Sequence, residues 1–283
     1  MKKFLKTILT LSLCVLSLSC NEEESADDKL AELNGKKIIT IGDSLTALCG
    51  WQPYLVEWLG VDWSREETVN GVNGHSPMAK GGTWVKPSDE SSIYIRSLDA
   101  KYYDPDIIFV YVASNDPMYA WASPENAGKT PEEIAKAEPA YRGTETDASV
   151  STTSAYKGMI ENLMRDCPDA DIYLIGMMRI YIKTGMVPTA DFTELWGDTI
   201  RFENMQEVEH YEMTERYPRL EIIREIGKMY DLPVIDLWTM SGITNENAHE
   251  YYGEVAGDCT QVHPNAAGDK RVAECIRDFL LSE

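Results

Sequence analysis

The sequence predicts an α/β fold in which a parallel sheet lies between two layers of helices. Short runs rich in β-branched residues alternate along the chain with segments whose apolar residues recur at helical spacing. The run 106–112 is apolar after its first residue, as expected of a strand that is buried on both faces. Strands that alternate with helices are joined in parallel, and the helices then cover both faces of the sheet.

Five strands are predicted in this sheet. They lie at 38–41, near 69–71, at 106–112, at 172–178 and at 232–237. Helices are predicted where apolar residues recur every three or four positions, which occurs at 51–59, 155–164, much of 206–230 and 272–280. The segments 117–152 and 183–205 fit neither pattern, and loops of that length are usually functional or disordered.

The composition is that of one folded domain, which we expect to span residues 36–283. Hydrophobic residues make up 43% of the 283 residues and charged residues 26%, which is typical of globular chains long enough to bury a sizeable core. Residues 21–35 are polar and acidic with little apolar periodicity. They are predicted to form a flexible tether.

The N-terminus carries a targeting signal. Three lysines precede an apolar stretch, 8–18, that is too short to span a bilayer. This stretch ends just before Cys20, and an acidic run follows. Residues 1–20 therefore resemble a bacterial lipoprotein signal with Cys20 as the lipidated residue. Ser17 stands where such signals usually have leucine, so cleavage by an ordinary signal peptidase is the alternative.

These features predict a protein of the bacterial cell envelope, either periplasmic or exposed on the outer membrane. The formal charge of −21 repels phosphate backbones and anionic membrane surfaces. Nucleic acid is therefore not expected as a partner. The N-terminal lipid is the only membrane contact that we expect.

The cysteines do not predict a metal site. After lipidation of Cys20, the mature chain keeps Cys49, Cys167, Cys259 and Cys275. A disulfide between Cys49 and Cys259 and free buried thiols are the alternative interpretations. The sequence has no CxxC pair and no histidine pair at ligand spacing, so neither a metal nor an organic cofactor is expected.

A candidate nucleophile follows the first predicted strand. The residues Gly42-Asp43-Ser44-Leu45 lie where a tight turn at the carboxyl end of a strand can expose a hydroxyl. Hydrolysis of an ester by serine needs such a hydroxyl, a base that takes its proton, and fixed donors at the position of the oxyanion. The Gly-Asp-Ser tripeptide alone is weak evidence, because all three are ordinary turn residues.

Three further residues supply the base and the donors. Asn115 follows the third predicted strand, at the sheet edge where Ser44 is expected, and its amide can donate into the same crevice. Gly74 follows the second predicted strand, where a glycine lets a backbone N–H approach a substrate closely. His263 precedes the last helix and is the best candidate base among the histidines.

Taken together, four blocks resemble the SGNH, or GDSL-type, hydrolase superfamily. They are Gly42-Asp43-Ser44-Leu45, Gly71-Val72-Asn73-Gly74, Ala113-Ser114-Asn115-Asp116 and Val262-His263-Pro264-Asn265. Four blocks in the right order are far more specific than any one of them. The resemblance covers nearly all of 36–283 and implies a flavodoxin-like, three-layer α/β/α sandwich. It also implies Ser44 as nucleophile, His263 as base, and an oxyanion hole of the Gly74 N–H, the Asn115 side chain and the Ser44 N–H.

One position departs from the family pattern. An aspartate usually stands three residues before the histidine, whereas Thr260 stands there in this chain and the nearest acid is Asp258. An orienting carboxylate fixes the tautomer of the imidazole and stabilises the imidazolium. Either Asp258 reaches His263 through a loop of altered length and completes a triad, or a backbone carbonyl orients the ring and the site is a dyad.

Aromatic residues in or near the predicted rim loops suggest a carbohydrate substrate. Trp84, Tyr119, Trp121 and Trp196 can stack on sugar rings, although ordinary loop packing is the alternative for each. With surface lipidation, they make O-deacetylation of a glycan the first functional hypothesis. The alternatives are hydrolysis of acyl lipids or thioesters by the same residues, and a surface lipoprotein that binds glycans without turnover.

Overall fold

The computed structural model describes residues 25–48, 50–63, 79–80, 83–84, 92–112, 114–143, 150–185, 201–253 and 260–283. In chain order these residues form the strands β1 (Ile38–Gly42), β2 (Ala79–Lys80), β3 (Thr83–Trp84), β4 (Ile107–Tyr111), β5 (Asp171–Gly176), β6 (Tyr181–Ile182), β7 (Val234–Asp236) and β8 (Thr260–Gln261).

The same residues form α-helices of very different lengths. In chain order they are α1 (Ala26–Leu33), α2 (Ser44–Ala47), α3 (Gln52–Leu59), α4 (Ile93–Arg96), α5 (Pro131–Ala137), α6 (Thr152–Asp166), α7 (Met205–Tyr211), α8 (Tyr217–Tyr230), α9 (Leu237–Met240), α10 (Ala248–Tyr251) and α11 (Ala266–Leu280). Turns of 3₁₀-helix occur at Ser97–Tyr102, Met118–Ala120 and Pro124–Asn126, and a π-helical turn at Glu212–Arg216.

Four strands form the central sheet, in the order β1, β4, β5, β7, and all neighbouring pairs are parallel. The predicted α/β class with a parallel sheet is therefore confirmed. These strands correspond to four of the five predicted ones, and the strand predicted near 69–71 lies outside the described residues. Two short antiparallel pairs, β2 with β3 and β6 with β8, lie apart from the central sheet.

Side chains of the central sheet alternate between two apolar clusters, as the two-residue period of a strand requires. On one face, Ile108 and its neighbours pack against α6 and α8. On the other face, Phe109 and its neighbours pack against α3 and α11. Burying each such side chain stabilises the fold by about 1.5–3 kcal/mol. Helices thus cover both faces, which is the three-layer arrangement that the family resemblance implies.

The acidic segment 21–35, predicted as a flexible tether, contains the helix α1 over residues 26–33. The Ser25 side chain accepts a hydrogen bond from the Asp28 N–H at the helix start. The acidic residues of the first turn lie near the positive end of the helix dipole, which stabilises the helix. Leu33 packs against the core, although no residue of α1 is fully buried. Residues 26–33 are therefore helical rather than irregular, and the role of the segment as a tether stays a prediction.

The segment 117–152, predicted as a long functional or disordered loop, is folded wherever it is described. It contains α5, and the buried side chain of Glu138 ties it together. The Glu138 carboxylate accepts hydrogen bonds from the Ser123 N–H and from the side chains of Ser123, Asn126, Ser151 and Ser154. A buried carboxylate needs such partners. In the other long segment, 183–205, residues 186–200 lie outside the described part.

Within the described residues, no helix combines the length and the apolar character that a membrane crossing requires. Cys167 and Cys275 are buried free thiols, which is compatible with both interpretations of the cysteines. Cys49 and Cys259 lie outside the described residues, as does Cys20.

Candidate active site

Ser44 lies at the carboxyl end of the first strand of the central sheet. β1 ends at Gly42, and Ser44 begins the short helix α2. A Cβ atom on Gly42 would come within 1.9 Å of the Thr46 Oγ1 atom and 2.4 Å of the Tyr111 carbonyl oxygen. Only glycine therefore permits the close packing of this turn against β4. The Ser44 N–H belongs to the first helical turn, where N–H groups have no acceptor within the helix.

Three side chains fix the turn that carries Ser44. The Thr46 hydroxyl donates to the Tyr111 carbonyl oxygen at 3.3 Å. The Gln52 amide donates to the Thr46 carbonyl oxygen at 2.9 Å, and the Trp51 indole N–H donates to the Leu45 carbonyl oxygen at 3.2 Å. Both donors come from the start of α3 or the residue before it. The nucleophile turn is therefore part of the packed core rather than a loop above it.

Asp43 joins the serine turn to the turn after β4. Its carboxylate accepts from the Leu45 N–H at 3.1 Å and from the Ser114 N–H at 3.1 Å. The side chain is completely buried, and this burial raises the pKa of Asp43 to about 7 against the lowering effect of those two N–H donors. Asp43 is thus a structural acid, which places the turns of Ser44 and Asn115 next to each other.

His263 makes the contact that a general base requires. Its Nε2 atom lies 2.9 Å from the Ser44 Oγ atom, although the two residues are 219 positions apart in the chain. In the chain, His263 stands between β8 and the start of α11, whose N-cap is Asn265. Partial burial lowers the pKa of His263, so the neutral imidazole that can accept the serine proton predominates at neutral pH.

No carboxylate among the described residues is hydrogen-bonded to the His263 ring. Thr260 lies in β8, where it pairs with Ile182. Asp258, the acid expected to complete a triad, lies outside the described residues. A triad completed by Asp258 and a dyad oriented by a backbone carbonyl therefore both stay predictions.

Asn115 has the features of an oxyanion donor. It follows β4, and its Nδ2 atom is buried with no hydrogen-bond acceptor among the described residues. Arg219 fixes this turn, since its guanidinium donates to the carbonyl oxygens of Ser114 and Asp116 at 3.4 and 2.7 Å. A buried amide donor without a partner is costly unless a ligand completes it. Gly74, the predicted backbone donor, lies outside the described residues.

Of the four aromatic residues expected to bind substrate, the two whose side chains are described differ in exposure. Tyr119 is 74% exposed, in a 3₁₀ turn shortly after Asn115. Trp121 is fully buried, donates its indole N–H to the Asp116 carbonyl oxygen at 3.3 Å and packs against Tyr156. The expectation that Trp121 binds substrate is therefore wrong, because its ring is buried in the core and no substrate can reach it. The side chain of Trp84 and all of Trp196 lie outside the described residues.

Buried charged residues of the π-helical turn also lie near the site, and sequence reasoning missed them. Glu212 forms an ion pair with Arg179, and Arg216 donates to the Met178 carbonyl oxygen at 2.9 Å. In the sequence these residues stand among many other charged residues of a predicted helix. The spacing Glu212 to Arg216 gave no signal, because it is common on exposed helix faces.

The hydroxyl, the imidazole and the amide donor all belong to segments at the carboxyl edge of the central sheet, which is where catalytic groups collect in open α/β folds. This is the arrangement of a serine hydrolase on a three-layer scaffold. Residues 40–271 match the family model of the GDSL-like lipase/acylhydrolase family. The chain belongs to this family, within the SGNH superfamily, and is a hydrolase of ester bonds.

Solved structures with the same fold are distant in sequence. A protein from Lactobacillus plantarum superposes with a TM-score of 0.53 at 18% identity, over 88% of this chain and 98% of its own. A candidate GDSL-like lipase from Bacteroides ovatus ATCC 8483 superposes with a TM-score of 0.51 at 16% identity, over 88% of this chain and 100% of its own. At these identities the similarity shows the fold alone. A search of curated proteins found no match.

Proposed function

We propose that the chain is a serine esterase in which Ser44 is the nucleophile and His263 the general base. The observation that carries this proposal is the 2.9 Å contact between the His263 Nε2 atom and the Ser44 Oγ atom. A base must lie within hydrogen-bond reach of the proton that it removes, and its neutral form must be available. The lowered pKa of His263 meets the second condition.

In the proposed mechanism, the Ser44 oxygen attacks the ester carbonyl while its proton passes to the His263 Nε2 atom. The Asn115 Nδ2 atom and the Ser44 N–H stabilise the oxyanion of the tetrahedral intermediate, with the Gly74 N–H as the third proposed donor. Collapse of this intermediate breaks the bond to the alcohol, which leaves with the proton from His263. Water, deprotonated by His263, then attacks the acyl-enzyme and releases the acid and the Ser44 hydroxyl.

The test is turnover of 4-nitrophenyl acetate by Ser44→Ala and His263→Ala. We expect each substitution to lower kcat by about 10⁴-fold or more, because residues that act as one unit fail together. Ser97→Ala is the matched control, since Ser97 is 1% exposed and its hydroxyl donates to the Tyr94 carbonyl oxygen. Retention of turnover by Ser44→Ala, with Ser97→Ala unchanged, would exclude the proposed nucleophile.

For the substrate, we propose an O-acetylated glycan. The exposed ring of Tyr119, a few residues after Asn115, supports this proposal because such rings stack well on sugars. The alternative is an acyl lipid or thioester. A series of 4-nitrophenyl esters of increasing chain length, together with acetate release from acetylated polysaccharides, separates the two. A fall in kcat/KM with chain length and release of acetate support the glycan, and a rise with chain length supports the lipid.

We also propose that the mature protein is attached to the bacterial envelope through a lipid on Cys20. The lysine-rich start, the short apolar stretch and the acidic run after Cys20 support this proposal. The test is metabolic labelling of the full-length chain with an alkyne-tagged fatty acid in a bacterial host. Labelling that is lost in Cys20→Ala supports the proposal, whereas equal labelling of both chains contradicts it.

A further inference from the structure

His263 is supported on both sides by segments outside the central sheet. On its N-terminal side, β8 pairs with β6 in antiparallel register, with Tyr181 opposite Gln261 and Ile182 opposite Thr260. The Gln261 side chain also accepts a hydrogen bond from the His263 N–H at 3.2 Å. The position of the histidine backbone on this side therefore depends on where β6 lies.

On its C-terminal side, His263 is followed by a bridge to the segment after α10. Pro264 pairs with Tyr252, and the Asn265 amide donates to the carbonyl oxygens of Glu250 and Tyr252 at 3.1 and 3.0 Å. A third hydrogen bond of this residue runs from the Asn265 N–H to the Tyr251 carbonyl oxygen at 3.0 Å. The Tyr252 segment thus determines where α11 starts and where the preceding histidine lies.

Both supports meet at Arg179. The segment that leads into β6 includes Arg179, and the hydroxyl of the buried Tyr252 donates to the Arg179 carbonyl oxygen. The backbone of Arg179 therefore links the N-terminal and the C-terminal support of His263. We therefore expect a displacement of Arg179 to reach both β6 and Tyr252.

The π-helical turn Glu212–Arg216 fixes the residues around Arg179. The Arg179 guanidinium forms an ion pair with Glu212 and lies 4.3 Å from the centre of the Trp238 ring. Arg216 donates to the carbonyl oxygen of the preceding Met178 at 2.9 Å. Glu212 is 0% and Arg216 4% exposed, so both charged side chains of this turn are buried. Burial raises the pKa of Glu212, and the positive charge of Arg179 opposes this effect.

A buried ion pair contributes little net stability, because the desolvation of its charges offsets their attraction. Its directed geometry can nevertheless fix one position of a segment, and π-helical turns occur frequently at functional sites. In this chain the segment fixed by Glu212 is the one on which both supports of His263 converge.

We propose that Glu212 is a positioning residue for His263, acting through Arg179 to hold the imidazole against Ser44. The proposal rests on the proposed roles of Ser44 and His263. A triad carboxylate orients the imidazole ring. The π-helical turn is proposed to do something different, which is to fix the position of the histidine backbone. Glu212 touches neither of the two reacting residues.

The test compares Glu212→Gln with Glu221→Gln in the purified enzyme at about pH 8, well above the ordinary pKa of a glutamate. Glu221 is the control for loss of a glutamate–arginine ion pair, because it pairs with Arg224 in a part of the fold away from β6 and Tyr252; its side chain is 34% exposed, against 0% for Glu212. For Glu212→Gln we expect kcat for 4-nitrophenyl acetate to fall about tenfold with KM within about twofold, because small misplacements of catalytic groups cost rate rather than affinity. Glu221→Gln should retain both constants.

A second measurement separates positioning from a general loss of structure. The pH titration of the His263 ring protons by NMR, assigned by their absence in His263→Gln, does not depend on turnover. We expect the His263 pKa in Glu212→Gln to move up towards the ordinary value, because a displaced ring gains water, whereas Glu221→Gln should leave it unchanged. A lower kcat with an unchanged titration would mean a structural role only and would overturn the proposal.

Tyr252→Phe provides an independent variant if Glu212→Gln does not fold. It removes only the hydroxyl that donates to the Arg179 carbonyl oxygen, and the same fall in kcat and rise in the His263 pKa are expected. Wild-type behaviour of Tyr252→Phe, or of a folded Glu212→Gln, overturns the proposal. Full turnover by Ser44→Ala would instead contradict the proposed function itself, so the two failures can be distinguished.

Discussion

The two reacting residues are held in different ways. Ser44 follows β1, a strand with every residue buried, and the hydrogen bonds of its turn reach into the main sheet and α3. His263 follows β8, a strand of two residues whose one partner strand among the described residues, β6, is equally short, and further support comes from side chains such as Tyr252. The serine is placed by the core, and the histidine by a peripheral framework.

This difference separates stability from activity. A substitution on the serine side disturbs packing that the whole fold needs, so it should lower the free energy of unfolding along with the rate. A substitution in the short β6–β8 pair on the histidine side disturbs a small apolar cluster of its own, and regions of that kind open locally at little cost to the global fold. It should therefore lower the rate while the free energy of unfolding changes little.

Gly42→Ala should have the largest effect. The added methyl group would overlap the Thr46 hydroxyl and the Tyr111 carbonyl oxygen, at 1.9 and 2.4 Å, and the backbone oxygen cannot move without displacing β4. We expect a loss of about 3 kcal/mol or more in the free energy of unfolding. Urea denaturation monitored by tryptophan fluorescence measures it, and esterase activity should be lost with it.

Gly253→Ala is the corresponding change on the histidine side. Among the described residues, the nearest atom to its added methyl group is the Gln261 Nε2 atom at 3.9 Å, which is ordinary contact. Its free energy of unfolding should stay within about 1 kcal/mol of the wild-type value. Equal destabilisation by the two substitutions would remove the distinction between a core-held serine and a peripherally held histidine.

Asn115→Ala should have the next largest effect, and on rate alone. We expect kcat to fall by about 10²–10³-fold, the usual effect of removing one oxyanion donor. The free energy of unfolding should change by less than about 1 kcal/mol, because the Asn115 Nδ2 atom has no acceptor among the described residues.

Asn126→Ala is the matched control for this prediction. The Asn126 amide donates to the Ser123 hydroxyl and the Glu138 carboxylate at 3.0 and 2.7 Å. It therefore belongs to the buried network around Glu138 and has no proposed role in catalysis. It should lose about 1–3 kcal/mol of stability and keep the wild-type kcat. A fall in kcat of the same size in both variants would show that Asn115 acts through the fold rather than on the oxyanion.

The sequence allowed prediction of the part of the site that depends on strand ends. Ser44 and Asn115 directly follow strands of apolar, β-branched residues, and parallel strands bring their carboxyl ends to one edge, so the meeting of the two turns could be anticipated. His263 could be predicted as the base because its motif follows the other three in the order typical of the family. For these residues, local pattern and global fold agree.

The parts that could not be predicted depend on contacts between distant residues. Trp121 looks like a rim aromatic in a loop sequence, yet its burial follows from packing against Tyr156 of α6. Glu212 and Arg216 resemble any exposed charged pair of a helix, and only the π-helical turn and the Met178–Arg179 segment bury them. The sequence around such residues looks the same whether their side chains are buried or exposed.

The pH dependence of stability should reflect the buried acid on the serine side. Burial raises the pKa of Asp43 from 3.8 to about 7, so the folded state binds a proton more tightly than the unfolded state does. The Asp43 contribution is therefore fully present below the unfolded pKa and is lost as the pH rises through about 7. It amounts to about 2–4 kcal/mol, and urea denaturation between about pH 4 and pH 8 measures it.

Two variants isolate this contribution. Asp43→Asn should flatten the pH profile of the unfolding free energy relative to the wild type over this whole range. Asp269→Asn, in the helix that follows His263, should flatten it less and only up to about pH 6, because burial raises the pKa of Asp269 to about 6. An unchanged slope in Asp43→Asn would mean that Asp43 is already ionised in the folded protein at low pH.

The smallest effect, and the one that bears most directly on the histidine side, is the acid limb of kcat/KM. Burial lowers the pKa of His263, and the neutral ring is the active base, so activity should persist below the ordinary histidine value of 6.5 and fall only at lower pH. The rate of inactivation by a fluorophosphonate, which also needs a deprotonated Ser44, should follow the same limb and so exclude an effect of the ester. A carboxylate beside the ring would raise the pKa instead. If the acid limb lies above pH 6.5 and moves to lower pH in Asp258→Asn, Asp258 completes a triad. The imidazole would then be held by a carboxylate in addition to the contacts that converge on Arg179.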